Sequence, residues 1–331
     1  MTSIRKITAI ALLATAAAVS VPAHAVPAGQ GAAGHGHEYR TFYAGGATAR
    51  GKIDDSYTAD LVMYLAGNQC LVMEALITDF QTKYPEVRSV YVQTTPAGKI
   101  VKQQILAQGE INGTRTARNP DLFASINLGH LQKLRQEGLM QSYMVYAHNK
   151  LELMVAEGNP KRVRGPQDLA RDDLAQSHPN PLTEAIFRVY GSQMLRDLGL
   201  YEAVTGGQTC RRCWAVPGKT WFTAHHQGEI PARIEQGTAD VGIVWSSEVL
   251  HAHAEGRRVE GVAIPAPYNM AHKVNYAIGQ VASGRNSASA HKFLRYLATD
   301  AAQAIYAQHG FEKALPEELI SKPIPATIAR R

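Results

Sequence analysis

The stretch from Lys219 to Glu248, KTWFTAHHQGEIPARIEQGTADVGIVWSSE, decides how the rest of the chain is read. Ile230, Arg233 and Ile234 are spaced three and four apart, which predicts a short helix over Glu229 to Gln236, with Pro231 in a first turn that tolerates its missing N–H. Gly237 supplies the stop. Val241-Gly242-Ile243-Val244-Trp245 is apolar without alternation, as expected of a strand covered on both faces, and Ser246-Ser247-Glu248 closes it as a polar loop. In an open α/β sheet the end of such a strand borders a cleft.

Working outward, the same unit repeats. Leu61 to Leu65 reads as a strand, Ala66-Gly67-Asn68-Gln69 as a turn, and Leu71, Leu76 and Phe80 mark a helix. Ser89 to Gln93, Thr94-Thr95-Pro96-Ala97-Gly98 and the helix of Ile100, Gln104 and Ile105 form a second unit. Asp121 to Ser125 and the helix of Leu128 to Leu139 form a third. Strands alternating with helices specify an α/β protein with largely parallel sheets. Leu151 to Val155 ends at Gly158-Asn159-Pro160, beyond which a second lobe would hold Asp168 to Ser177, the helix of Leu182 to Leu198 and a cysteine loop.

Four turns share one design, a small or polar residue just ahead of a helix that follows a strand: Gly67-Asn68-Gln69, Thr94 to Gly98, Asn180 to Glu184, and His225 to Gly228. The first N–H groups of a helix lack intrahelical partners and carry the positive end of its dipole, so such turns favour an anion. Each is also what an ordinary helix cap looks like.

The wording G-x-A-D-V-G-I-V-W-x-S at Gly237 to Ser247 resembles the periplasmic solute-binding proteins of ABC importers, with the molybdate and tungstate branch the nearest likeness. Asn149 to Pro160, N-x-L-x-L-M-V-x-x-G-N-P, is similar to the strand that crosses the hinge in those families, and Ala301 to Tyr306 followed by Gly310-Phe311 to their terminal helix. The resemblance implies a two-lobed type II fold, each lobe a mainly parallel sheet flanked by helices and joined by two hinge crossings near residues 147–152 and 244–247. It implies residues 58–147 and 247–325 in one lobe and 148–246 in the other. A small anionic solute, of molybdate or tungstate kind, would bind between them, with an inner-membrane ABC permease as partner and the protein itself a monomer.

Carried over, Asn68 stands where molybdate binders place a small hydroxyl residue, Thr95 where they place Ser or Thr, and Pro179-Asn180 near their proline-rich loop. Gln69, Thr94, Gly98, His225 and His226 join the candidate ligand-binding set by position. Trp245 falls at or next to a ligand-contacting Tyr of that branch; Trp lacks the hydroxyl, which Ser246 could offer instead. Glu229 would repel an anion. His225-His226, with His178 and Glu229, also admits a metal reading, although adjacent histidines point apart on most backbones. Binding of a metal ion or small organic anion in a sensor or accessory role, or hydrolysis by Ser246, His225 and Glu229, are the competing functions. There is no G-x-S-x-G elbow, no Walker loop and no G-x-G-x-x-G after a strand to support an enzyme, and no cofactor is expected.

The ends and composition fit export. Arg5 and Lys6, the apolar span of Ile7 to Val19 and Ala23-His24-Ala25 form a secretory signal with cleavage expected after Ala25, and residues 26–57 read as a flexible Gly/Ala-rich leader with His35 and His37. The chain of 331 residues carries a formal +6, and the first 25 residues account for two of those charges. That is too mild and scattered for nucleic acid. In an oxidising periplasm, Cys210 and Cys213 are expected to pair, leaving Cys70 as a thiol.

Overall fold

The structure is a computed structural model and describes residues 38–50, 54–95, 97–107, 110–111, 114–115 and 119–326. The signal and the leader up to residue 37, with His35, His37 and also Pro96, lie outside the described residues.

Two sheets organise the chain. In the larger, Leu61–Leu65 is entirely buried and pairs in parallel with Ser89–Thr94 and Leu122–Ser125, the three strands foreseen from their apolar runs. Asn275–Gln280 runs antiparallel to Leu122–Ser125 and to Ser142–His148, and Glu38–Tyr43 runs antiparallel to Ser89–Thr94. The smaller sheet has the strand order Cys213–Val216, Thr220–Phe222, Gln176–His178, Val241–Trp245, Leu151–Ala156, Val259–Ala263. Gln176–His178 is parallel to its two neighbours, whereas Leu151–Ala156 is antiparallel to both of its own. Each sheet is therefore mixed rather than mainly parallel: strand–helix repeats build the centre, and strands that cross between lobes run back against them. We call the elements on the larger sheet the first lobe and those on the smaller the second.

Three expectations are corrected. Glu38–Tyr43 and Thr48–Arg50 form a hairpin on the first sheet, with Thr41 and Phe42 buried, so this part of the expected leader is folded. The second crossing does not lie at 244–247. Val259–Ala263 pairs with Leu151–Ala156 in full register, which keeps the chain in the second lobe until residues 264–274 carry it to Asn275–Gln280. Ser246–Ala254 is a helix, not a loop, because Glu248 reaches back to accept from Trp245 N (3.3 Å) and caps its start. Asn149-Lys150 joins Ser142–His148 of the larger sheet to Leu151–Ala156 of the smaller.

The quoted stretch folds as helix His226–Glu235, then strand Val241–Trp245. Gly242 is required by close packing: a Cβ there would sit 2.5 Å from both the Ile230 side chain and Ser177 O. Helix and strand thereby press together, fixing the helix start beside the strand end.

Candidate functional site

Between the lobes lies a cavity of about 410 Å³. Its walls are strand ends and helix starts. From the first lobe come Ala66, Gly67 and Asn68 after one strand, Ala97 and Gly98 after the next, and Ser125, Ile126 and Asn127 after the third; from the second come Ala185, Ile186, His225, His226 and Trp245. Five helical runs start at these residues: Gly67–Lys83, Ala97–Ile105, Leu128–Gln136, Ile186–Asp197 and His226–Glu235. Some of their first amides are already capped, Gly129 N by Asn127 Oδ1 and Phe187 N and Arg188 N by Glu184 O, and the helix dipoles add positive potential at a common space.

The floor is wired into the protein. Asn68 Nδ2 donates to Tyr276 Oη at 2.7 Å, and Asn149 at the crossing also faces that hydroxyl (3.4 Å) while donating to Ser247 Oγ (2.9 Å). Burial pushes the Tyr276 hydroxyl well above its ordinary pKa, so it stays neutral. Ser125 Oγ and His130 Nδ1 are 2.8 Å apart. Burial, with Arg188 and Lys102 nearby, lowers His130 to about 4, which leaves a neutral ring at neutral pH.

On the opposite wall His226 Nδ1 meets Glu184 Oε2 (2.8 Å) and Nε2 meets Glu248 Oε1 (2.9 Å). Burial alone would lower its pKa, but the Glu248 and Glu184 carboxylates reverse that and hold it at about 10. His226 is an imidazolium with both nitrogens donating, which removes it as a metal ligand. Among the described residues no group of three or more His, Cys, Asp or Glu is placed to hold a metal ion.

The cavity also collects exposed cations that sequence reasoning missed: Lys99 and Lys102 from the first lobe and Arg188 from the second. Lys102 and Arg188 lie on Ile100–Ile105 and Ile186–Gly191, both wound as π-helix, a form that recurs at functional sites. The lobes already touch here. Tyr190 Oη, from the second lobe, donates to Ile126 O of the first at 2.9 Å, and its ring packs edge-on against Trp245.

Of the candidate residues, Asn68, Gly98, His225, His226 and Trp245 line the cavity. The others are placed elsewhere. Gln69 is fully buried in the first lobe, where its Oε1 accepts from Tyr146 and Tyr306. Thr94 faces a separate small hollow with Arg40 and Cys70, and Thr95 Oγ1 accepts from Gln93. Asn180 caps the turn after it through Thr183 N (2.8 Å) and donates to Ala224 O (3.0 Å); it and Pro179 are buried behind the wall, and the helix starts only at Ile186. Ser246 donates to Asn149 Oδ1 (2.9 Å) at the crossing, so it does not stand in for the missing tyrosine hydroxyl.

Neither competing constellation is assembled. Glu229 accepts from Trp221 Nε1 (3.0 Å) and Ala224 N (2.9 Å) at its own helix start, and His178 is buried against Gln176 and Ile243 N. Cys210 and Cys213 are joined by a disulfide, and Cys70 forms none. The disulfide loop brings Arg211 to 3.3 Å from His225 Nε2 at the rim.

The chain is similar to known proteins. Residues 61–312 fit the family profile described as bacterial extracellular solute-binding protein. The chain belongs to that family. A sulfate-binding protein from Synechococcus elongatus is 25% identical over 197 residues, 58% of this chain and 53% of the relative, so the chain spans about half the length of that curated relative. Among solved structures, the periplasmic molybdate-binding protein of Azotobacter vinelandii superposes with a TM-score of 0.60 at 20% identity, covering 77% of this chain and 100% of the other. The sulfate-binding protein SubI from Mycobacterium tuberculosis gives 0.55 at 18% identity, covering 78% and 88%. At these identities the likeness is one of fold, the two-lobed type II periplasmic-binding fold. The family and these neighbours are substrate-binding proteins rather than enzymes.

Proposed function

We propose that this solute-binding protein is the periplasmic component of an ABC importer, and that it captures a small anion in the interlobe cavity for delivery to an inner-membrane permease. The observation that carries the reading is the convergence of five helix starts on one cavity that also holds Lys99, Lys102 and Arg188. Helix amides and cations together stabilise negative charge, and closing the lobes over the anion strengthens each contact by removing water. Asn68, Gly98 and His225 are the foreseen residues best placed to contribute. Sulfate and molybdate, named for the relatives, make tetrahedral oxyanions the first class to try. The signal expected over residues 1–25 and the extracellular solute-binding family support a periplasmic mature protein in this reading; no helix among the described residues is long and apolar enough to cross a membrane.

A thermal-shift panel tests the reading, using molybdate, tungstate, sulfate, phosphate, divalent metal chlorides and small organic anions. Ligand that binds the folded chain in preference to the unfolded one raises the midpoint with concentration. An anion is expected to do so. A response to metal cations alone would overturn the proposal.

A further inference from the structure

Cavity size and the placement of charge carry the anion reading further. A tetrahedral oxyanion of five heavy atoms displaces roughly three water volumes of ~30 Å³ each. The cavity is about 410 Å³, within the ~300–1,000 Å³ of pockets that enclose organic ligands. The Tyr190–Ile126 hydrogen bond joins the two walls beside this cavity.

The lining changes with depth. Asn68, Ser125 and Trp245, with His226 held between its two carboxylates, form the buried part of the lining, next to the helix starts. Lys99, Lys102, Arg188 and His225 are exposed, so they form the mouth. Ile126, Ile186 and Ala97 lie along the same cavity and give a carbon skeleton an apolar surface. Arg188 and Lys102 both depress the His130 pKa, which puts cations of opposite lobes within electrostatic reach of one ring. A single-centre oxyanion on the floor would leave the mouth cations facing water.

Resting on the anion reading, we infer that the ligand is a small organic molecule with two anionic groups separated by a short carbon chain. One group seats on the floor among the helix starts, and the second meets Lys102 and Arg188 at the mouth. Trp245 and Ile186 cover the carbons between. The Trp245 ring, held edge-on against Tyr190, offers such a carbon chain an apolar face.

Calorimetry with phosphate, sulfate, molybdate, methylphosphonate, phosphonoacetate, 3-phosphonopropionate and succinate tests the inference. At least one of the three doubly anionic organic probes is expected to bind tenfold or more tighter than phosphate and methylphosphonate. The Lys102→Ala/Arg188→Ala double variant is expected to weaken that probe by about 10–100-fold, the loss of charged contacts, and to weaken phosphate by a clearly smaller factor, since phosphate loses only the general field of these cations; an equal loss for both ligands would overturn the inference. If an inorganic oxyanion binds as tightly as every organic probe, the inference falls while the anion cleft stands. Equal binding of methylphosphonate and the doubly anionic probes would likewise overturn it. If no anion binds, the proposed function falls with it.

Discussion

On the first-lobe wall of the cavity, His130 and Asn68 are held by neutral partners, Ser125 and the Tyr276 hydroxyl; on the second-lobe wall, His226 is clamped between Glu184 and Glu248. Both walls present a histidine near a helix start, yet burial among cations drives one to about 4 and two carboxylates lift the other to about 10. A histidine in an anion cleft is therefore no fixed quantity: its neighbours decide whether it is a neutral ring or a permanent cation. Glu184 and Glu248 answer the charge of His226 locally, so the field that reaches a ligand comes mainly from helix starts and from Lys99, Lys102 and Arg188.

The largest effect is expected from breaking the clamp. In His226→Ala the Glu184 and Glu248 carboxylates would face each other without a cation, and breaking a buried pair in this way costs about 3–5 kcal/mol. Urea denaturation at pH 7 measures it. The pH profile separates the two histidines. His226 is raised above its unfolded value, so its stabilisation is complete below about pH 6.5 and is lost as pH rises towards 10, by at most about 1.4 kcal/mol per pH unit. His130, and with it the buried His178 at about 3, is depressed, so these contribute stability that is lost as pH falls below about 6.5. His226→Ala should remove the alkaline slope and keep the acid one. An unchanged alkaline slope would break the comparison.

Next comes Asn68→Ala, which removes a floor donor held in place by Tyr276. If the ligand's anionic group sits there, affinity should fall by about 1.5–3 kcal/mol, the worth of a hydrogen bond to a charged partner. Calorimetry with the tightest anion reads it. Tyr190→Phe should cost less, about 0.5–1.5 kcal/mol in affinity, because it deletes the hydrogen bond to Ile126 that joins the walls and leaves the ring against Trp245. A loss in folding stability with unchanged affinity would show that this bond does not help hold the lobes closed on ligand.

Strand–turn–helix units were legible because each carries a local signal: an apolar run, a Gly or Asn, then helical spacing. That is why Asn68, Gly98 and His225 were found at the cavity. Lys99, Lys102 and Arg188 were not, since a charged residue on a helix looks the same whether it faces a cleft or bulk water, and only packing of the two lobes decides. Val259–Ala263 was assigned to the wrong lobe for a related reason: its residues specify a strand but not which of two sheets will accept it. The hairpin from Glu38 was hidden by the Gly/Ala composition around it, although Phe42 enters the core.

The smallest effect is expected at Thr95, where sequence position and structure part. As a Thr just before a helix, it stands where an oxyanion ligand would be sought. Yet it is 5% exposed, its hydroxyl accepts from Gln93 Nε2 (3.1 Å), and it does not line the cavity. Gln93 Nε2 also donates to Gln104 Oε1 at 2.8 Å, and Gln104 returns a bond to Gln93 Oε1, so the pair of amides stays satisfied without the threonine. Thr95→Ala should thus lower stability by about 1 kcal/mol or less and leave anion affinity within about 0.5 kcal/mol of wild type. Calorimetry beside Asn68→Ala makes the contrast direct, since the two residues follow neighbouring parallel strands. An equal loss of affinity in both variants would mean that Thr95 turns into the cavity when the anion binds, and the first-lobe wall would then have to be redrawn around it.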